Sequence, residues 1–302
     1  PPQMHNKGNY IISLGDFCKW LADQAEALEV EIYPGFSASE ILFDEAQKVL
    51  GVATCDMGRL KDGSEGPNFE QGIELRAKQT VFSEGCRGHL GKILMDKFNL
   101  NQDNSPQTYG IGIKELWEIS PEKSDPGSIV HTTGWPLKSD TYGGSFLYHL
   151  DNNQISIGFV IGLDYKNPYL SPYMEFQRFK HHPDIKKYLE GGRRINYGAR
   201  ALNEGGVQSL PKLTFPGGLL VGCEAGFLNV PKIKGTHLAM KSGILAAKSI
   251  FENIDNKDEI KEFTQSIKDS WLWSELYKVR NIRPSFKWGF WKALIYSAID
   301  TF

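Results

Sequence analysis

The chain has 302 residues, enough for two domains of ordinary size or one large domain with an insert. Its 40% hydrophobic, 12% aromatic and 23% charged content is that of a globular protein and excludes a wholly disordered or fibrous chain. With 34 Lys and Arg against 36 Asp and Glu, the net charge of −2 carries no basic excess for nucleic acid and no acidic tail. The start at Pro1 and the end at Thr301-Phe302 both read as cuts into a longer protein, and no run near the start reads as a signal or transit segment.

Ser13-Leu14-Gly15-Asp16 has the form of a capping box. Phe17, Trp20, Leu21, Ala25 and Leu28 follow at helical spacing, and Val30-Glu31-Ile32-Tyr33 reads as a short strand closed by Pro34-Gly35. This helix and strand are read as half of an α/β layer. Strands are expected at Glu40–Phe43, Val49–Thr54 and Ile73–Ala77, with a polar loop from Lys61 to Asn68. Thr80–Ser83 is expected to be a buried strand ending at Glu84-Gly85.

From Pro106 to about Arg200 the texture changes. Four strand-like runs, Tyr109–Ile119, Ile129–Trp135, Tyr142–Leu150 and Gln154–Leu163, are separated by Gly and Pro turns. One helical run, Tyr173–Leu189, is expected to cover this antiparallel sheet, with His181 and His182 diverging on it. The first texture returns at Phe215: a buried strand Leu219–Val221, a glycine-rich loop, and a helix from about Thr236 to Phe251. On that helix Met240, Ile244, Ala247 and Phe251 share one face. The parts are therefore 1–105, 106–200, 201–255 and a helical 256–302.

Two strand-to-glycine junctions carry potential chemistry. One is Val81-Phe82-Ser83-Glu84-Gly85-Cys86-Arg87-Gly88; the other is Val221-Gly222-Cys223-Glu224-Ala225-Gly226-Phe227, with Thr236 opening the next helix. Ligands of open α/β sheets sit at the carboxyl ends of strands, and a helix N-terminus favours an anion. Taken singly, each junction reads more readily as an ordinary strand–turn–helix corner. No G-x-G-x-x-G occurs in the chain. Gly143-Gly144 opens a strand that otherwise takes bulky residues; either a flat ligand approaches there, or the pair is a bulge or tight turn. Lys232 and Lys234 flank Ile233 near the second junction; either they face an anion or, as the stronger reading, they are solvated surface lysines. Cys18, Cys55, Cys86 and Cys223 have no iron–sulfur or zinc spacing, so no metal ligand is nominated. No triad or carboxylate pair marks a catalytic residue, and none is nominated.

Several blocks resemble the electron transfer flavoprotein–ubiquinone oxidoreductase family: Ser83–Gly88, Pro106–Gly112, Thr141–Leu150, Gly162–Tyr165, Asn167–Pro172, Tyr197–Arg200, Gly222–Gly243 and Val279–Pro284. The resemblance implies an α/β FAD-binding fold of the glutathione reductase class, present in part, with an inserted α+β ubiquinone-binding domain. It implies FAD contacts at Gly85, Cys86, Gly222, Gly226, Phe227, Asn229, Gly235 and Thr236, and ubiquinone at Gly143 and Gly144. It implies electron transfer flavoprotein as electron donor, ubiquinone as acceptor, and a place on the matrix side of the mitochondrial inner membrane. The family's [4Fe–4S] cluster has no ligands in this chain, which therefore resembles a central portion. A flavin-dependent reductase or hydroxylase of an isoprenoid lipid, and an incomplete, non-catalytic fragment, are the alternatives. Trp288 and Trp291 with Lys287 and Lys292 suit a tail lying on a membrane surface rather than crossing it.

Overall fold

The computed structural model describes residues 8–255 and 258–301. In chain order it holds α1 (Leu14–Glu26), β1 (Ala38–Phe43), β2 (Val49–Thr54), β3 (Met57–Arg59), β4 (Glu65–Glu70), β5 (Glu74–Arg76), β6 (Thr80–Phe82) and α2 (His89–Lys97). Then come β7 (Tyr109–Glu118), β8 (Ile129–Thr133), β9 (Gly143–Leu150), β10 (Gln154–Gly162), α3 (Pro172–Lys180), α4 (Pro183–Leu189) and β11 (Arg193–Asn203). The chain continues through β12 (Thr214–Phe215), β13 (Gly218–Leu220), α5 (Gly222–Ala225) and α6 (Thr236–Asn253). It ends with α7 (Glu262–Lys268), α8 (Trp271–Lys278), α9 (Ile282–Ser285) and α10 (Phe290–Thr301). Two compact units divide the described residues: 8–30, 108–204 and 281–301 form one, and 31–107 with 205–280 the other.

The first unit is built on a five-stranded antiparallel sheet in the order β11-β7-β10-β9-β8. The period-2 pattern of β9 puts Ser145, Leu147 and His149 inward. Phe159 of β10 meets Phe176 and Phe179 of α3, with ring centroids 6.4 and 5.3 Å apart. Each such buried ring or aliphatic side chain contributes on the order of 1.5–3 kcal/mol. Glu115 of β7 is buried, yet it accepts from Lys180 Nζ at 2.7 Å, Arg194 Nη1 at 3.2 Å and Trp117 Nε1 at 2.8 Å. That network ties α3 and β11 to β7.

In the second unit the parallel pair β6 and β13, joined by β12, carries a core of Phe82, Leu94, Phe215, Leu219, Leu220, Phe227, Leu238 and Phe263. A separate sheet runs β1-β2-β5. Gly217, with φ +80°, lies so close to the backbone of Val49 that no side chain fits.

Several expectations are corrected. Ser13 does cap α1, its Oγ accepting the Asp16 N–H at 3.4 Å, but no residue of α1 is buried. Val30–Tyr33 forms no strand, having no paired neighbour among the described residues, so the half-layer is absent. The polar loop after Lys61 includes β4, which pairs with β3. Val81 is exposed although Phe82 is buried. The helical run is two helices: His181 ends α3, and His182, before Pro183, starts α4, where its Nδ1 accepts the Asp184 N–H at 3.3 Å. Proline cannot supply the next helical N–H, and it pushes the preceding residue out of the helical region. β11 is a fifth strand that sequence reading missed. Finally, α6 buries Leu238, Ser242, Ala246 and Ser249, and leaves Met240, Ile244, Ala247 and Phe251 exposed. Its small residues are the buried ones because the neighbours come close: Gly222 donates to Ser242 Oγ at 2.9 Å, and Ser249 meets Ser266 of α7.

Candidate functional site

The second unit brings its two junctions together at the carboxyl ends of β6 and β13. These strands run in parallel, with Leu220 opposite Phe82, and Val221 then donates to the Phe82 carbonyl at 3.1 Å. After β6 the chain turns at Gly85 (φ +87°) and Arg87 (φ +53°) into α2. After β13 it turns at Gly222 (φ +59°) into the single turn of α5 and leaves through Gly226 in the left-handed conformation. Such conformations come easily only to glycine. Cys86 and Cys223 are half-buried.

The loop from Phe227 to Gly235 is held from inside. Phe227 and Asn229 are fully buried. Asn229 and Lys234 exchange both backbone hydrogen bonds, at 2.9 and 3.2 Å. The Asn229 side chain accepts from the Lys232 N–H at 3.1 Å and donates to Glu275 Oε1 at 2.8 Å. Phe227 and Asn229 are thus occupied in shaping the loop, and Gly235 and Thr236 are left at its open end, where α6 begins. Gly235 is the N-cap of α6 and supplies no side-chain cap to the first turn. An 18-residue helix therefore opens with backbone N–H groups aimed outward.

Sequence reading missed the polar group behind this helix start. His237, on the first turn of α6, donates from Nε2 to Glu275 Oε1 at 2.8 Å and stacks flat on Trp271 at 5.8 Å. Burial alone would raise the Glu275 pKa. Hydrogen bonds from His237 and Asn229, with the charges of His237 and Lys232, instead pull it down to about 2. The lysines are not free in solvent as expected: Lys232 lies 3.5 Å from Glu275 Oε2, and burial, then the Lys232 charge, lowers the Lys234 pKa. Only contact over sequence distance shows this, since Glu275 lies 38 residues from His237. An uncapped helix start beside two lysines and flanked by glycine turns fits an anionic, planar cofactor such as FAD.

In the first unit Gly143 and Gly144 open β9, and pairing is continuous through them: Gly143 opposite Ile161, Gly144 opposite Val160 and Thr133. There is no bulge. A Cβ on Gly143 would fall on Leu137 Cδ1 and 2.5 Å from the Val160 carbonyl, and one on Gly144 would fall on the Thr132 carbonyl. The glycines are thus required by close neighbouring strands and Leu137. Tyr142, just before them, lies edge-on to Phe286, ring centroids 4.8 Å apart, and under the Arg283 guanidinium at 4.1 Å. Arg283 donates to Glu204 Oε2 at 3.0 Å and to Asp164 Oδ1 at 3.1 Å. Burial, foremost, raises the Tyr142 and Glu204 pKa values. The same unit ends in α10, where Trp291, Ile295 and Ile299 form an exposed row, each at least 66% exposed, with Trp288 one turn before. No described helix is long and apolar enough to cross a membrane.

Residues 109–202 match the family described as ETF-QO, ubiquinone-binding. The chain is 59% identical to the mitochondrial electron transfer flavoprotein–ubiquinone oxidoreductase of Sus scrofa, over 98% of this chain and 50% of that protein. It is 53% identical to the protein of the same name from Dictyostelium discoideum, over 100% of this chain and 52% of that one. The chain spans about half the length of the curated relatives it matches. Among solved structures, a geranylgeranyl bacteriochlorophyll reductase-like protein from Thermoplasma acidophilum superposes with TM-score 0.66 at 16% identity, covering 95% of this chain and 72% of that one. The flavin-dependent brominase Bmp2 superposes with TM-score 0.62 at 18% identity, covering 94% and 65%. At such identities the likeness is one of fold: the chain has the α/β fold of flavin-dependent proteins.

Proposed function

The chain belongs to the electron transfer flavoprotein–ubiquinone oxidoreductase family, and we propose that it is the part of such a flavoprotein that places FAD and receives ubiquinone. Electrons enter from reduced electron transfer flavoprotein and leave on ubiquinone. The observation that carries this reading is 59% identity over 98% of the chain to a relative of that name. The isoprenoid-lipid reductase reading has a likeness of fold alone at 16% identity and is not favoured.

FAD, when bound, supplies the electron-carrying chemistry. Gly85, Cys86, Gly222, Gly226, Gly235 and Thr236 line its site, while Phe227 and Asn229 brace the loop. The first-turn amides of α6 and the Lys232–Lys234 pair offset negative charge there. The fold is of the glutathione reductase class, with 106–200 as the ubiquinone-binding insert. Gly143 and Gly144, which let Leu137 and the neighbouring strands close in, stand at the quinone head group beside Tyr142. The exposed row of α10 rests on a membrane surface, which is the inner mitochondrial membrane on its matrix side; the relatives themselves are named mitochondrial.

The test is electron transfer in protein carrying FAD. Reduced electron transfer flavoprotein should reduce the flavin, and a short-chain ubiquinone should reoxidise it. Gly144→Ala should slow reoxidation by ubiquinone tenfold or more and leave the first step within about twofold. A flavin that ubiquinone never reoxidises would overturn the reading.

A further inference from the structure

Two carboxylates at the β6–α2 and β13–α5 corners take no part in the reading above. Glu84 accepts the N–H groups of Leu90 at 3.2 Å and Gly91 at 2.8 Å, so it closes the start of α2. Gly88, the N-cap of α2, offers no side-chain cap. Glu224, in α5, is 3% exposed, and neither of its carboxyl oxygens has a hydrogen-bond partner. It points at the first turn of α2: a Cβ on Gly88 or on Gly91 would collide with its carboxyl group. The same Cβ on Gly88 would lie 2.6 Å from Glu84 Oε2. The two glycines therefore make the room in which the two carboxyl groups face each other.

A buried carboxylate without a partner is costly, and two that face each other do not both ionise cheaply. Burial, and then the Glu84 charge, push the Glu224 pKa up to about 7, against smaller opposing effects of the Gly88 and Glu84 backbone N–H groups. Among the described residues, the side-chain charge that acts on Glu224 is that of Glu84. From α2 Glu224 meets the backbone of Gly88 and Gly91, and the α6 residues packed on neighbouring Gly222 are Ala239 and Ser242, which carry no charge.

We propose that buried, unpartnered Glu224, facing Glu84, is a proton-binding site that takes up one proton in the neutral pH range. Negative charge arriving at this corner draws a proton from solvent onto Glu224, and its departure returns the proton to solvent. That coupling rests on the flavin reading; the proton uptake itself does not.

The test needs no ligand. Urea unfolding of the chain and of Glu224→Gln is compared from pH 5 to pH 8.5. A folded-state pKa raised above its unfolded value gives stability that is present at low pH and lost as pH rises through about 7. The wild-type folding constant should therefore fall, relative to Glu224→Gln, by tenfold or more across this range. Parallel curves would overturn the proposal. Infrared spectra of the folded wild-type chain give a second readout that survives a misfolded variant. A protonated carboxyl band should be present at pH 6 and lost by pH 9; its absence at pH 6 would also overturn the proposal. A failure to bind FAD would count against the proposed function alone, since both readouts are taken without it.

Discussion

Gly110 of β7 and Gly162 of β10 stand directly opposite each other, and one ion cluster fills the space of both absent side chains. A Cβ on Gly110 would overlap Glu204 Oε1, and one on Gly162 would lie 2.8 Å from Asp164 Oδ1 and 2.9 Å from Arg283 Nη2. Four separated sequence blocks thus meet around one buried guanidinium. Gly162→Ala should cost roughly 1–3 kcal/mol through crowding. Arg283→Met, which leaves Glu204 buried and uncompensated, should cost about 3–5 kcal/mol. Urea midpoints of the two variants check the order; equal stability of Arg283→Met and wild type would show that the cluster is dispensable.

Gly235 offers a clean probe of the cofactor corner. Its φ of −124° suits any residue, and a Cβ there would press on the flexible end of Leu228, at 3.0 Å, and make ordinary contact with the Phe227 carbonyl, at 3.7 Å. Gly235→Val should therefore leave the melting temperature within a few degrees while flavin content falls severalfold. Full flavin content in this variant would show that no ligand faces the start of α6.

The Glu275 cluster should stabilise the second unit above the acid range. Its folded-state pKa, about 2, lies below the ordinary carboxylate value of 4.5, so its contribution is present above pH 4.5 and lost as pH falls toward 2. Glu275→Gln should cost roughly 1.5–3 kcal/mol at pH 7, the usual worth of hydrogen bonds to a charged group. The gap should close on acidification; urea curves at pH 7 and pH 3 measure it, and a gap that widens at pH 3 would contradict the assigned partners.

Trp291, Ile295 and Ile299 should anchor the chain to lipid. Replacing all three with Ser should lower flotation with vesicles tenfold or more, because each apolar side chain of this size contributes on the order of 1 kcal/mol or more on leaving water. Unchanged flotation would assign the row to a protein contact instead.

Much of the first unit was legible because its signals are local. Alternating apolar residues and Gly or Pro turns placed β7 to β10 to within two residues at most ends, and Ser13 announced its cap. β11 was missed although Ile195, Tyr197, Ala199 and Ala201 alternate: Arg193 to Arg200 is exposed on both faces, so no buried face marks it, and it is a strand because β7 pairs with it. Val30–Tyr33 is the converse, alternating in pattern yet unpaired. The glycines of the candidate sites were visible as residues, but not what occupies their missing side chains: strand backbone at Gly144, carboxylates at Gly88 and Gly91.

By itself the sequence determined most of the elements and the two strand–glycine–helix corners. These depend on composition and spacing over a few residues, which side-chain periodicity and backbone preference govern directly. Tertiary structure alone decided which face of α6 is buried, that Asn229 braces its loop, that His237 meets Glu275, and that Glu224 faces Glu84. Those outcomes depend on which distant groups are brought within a few ångströms, where burial and charge act, and no local pattern encodes that distance.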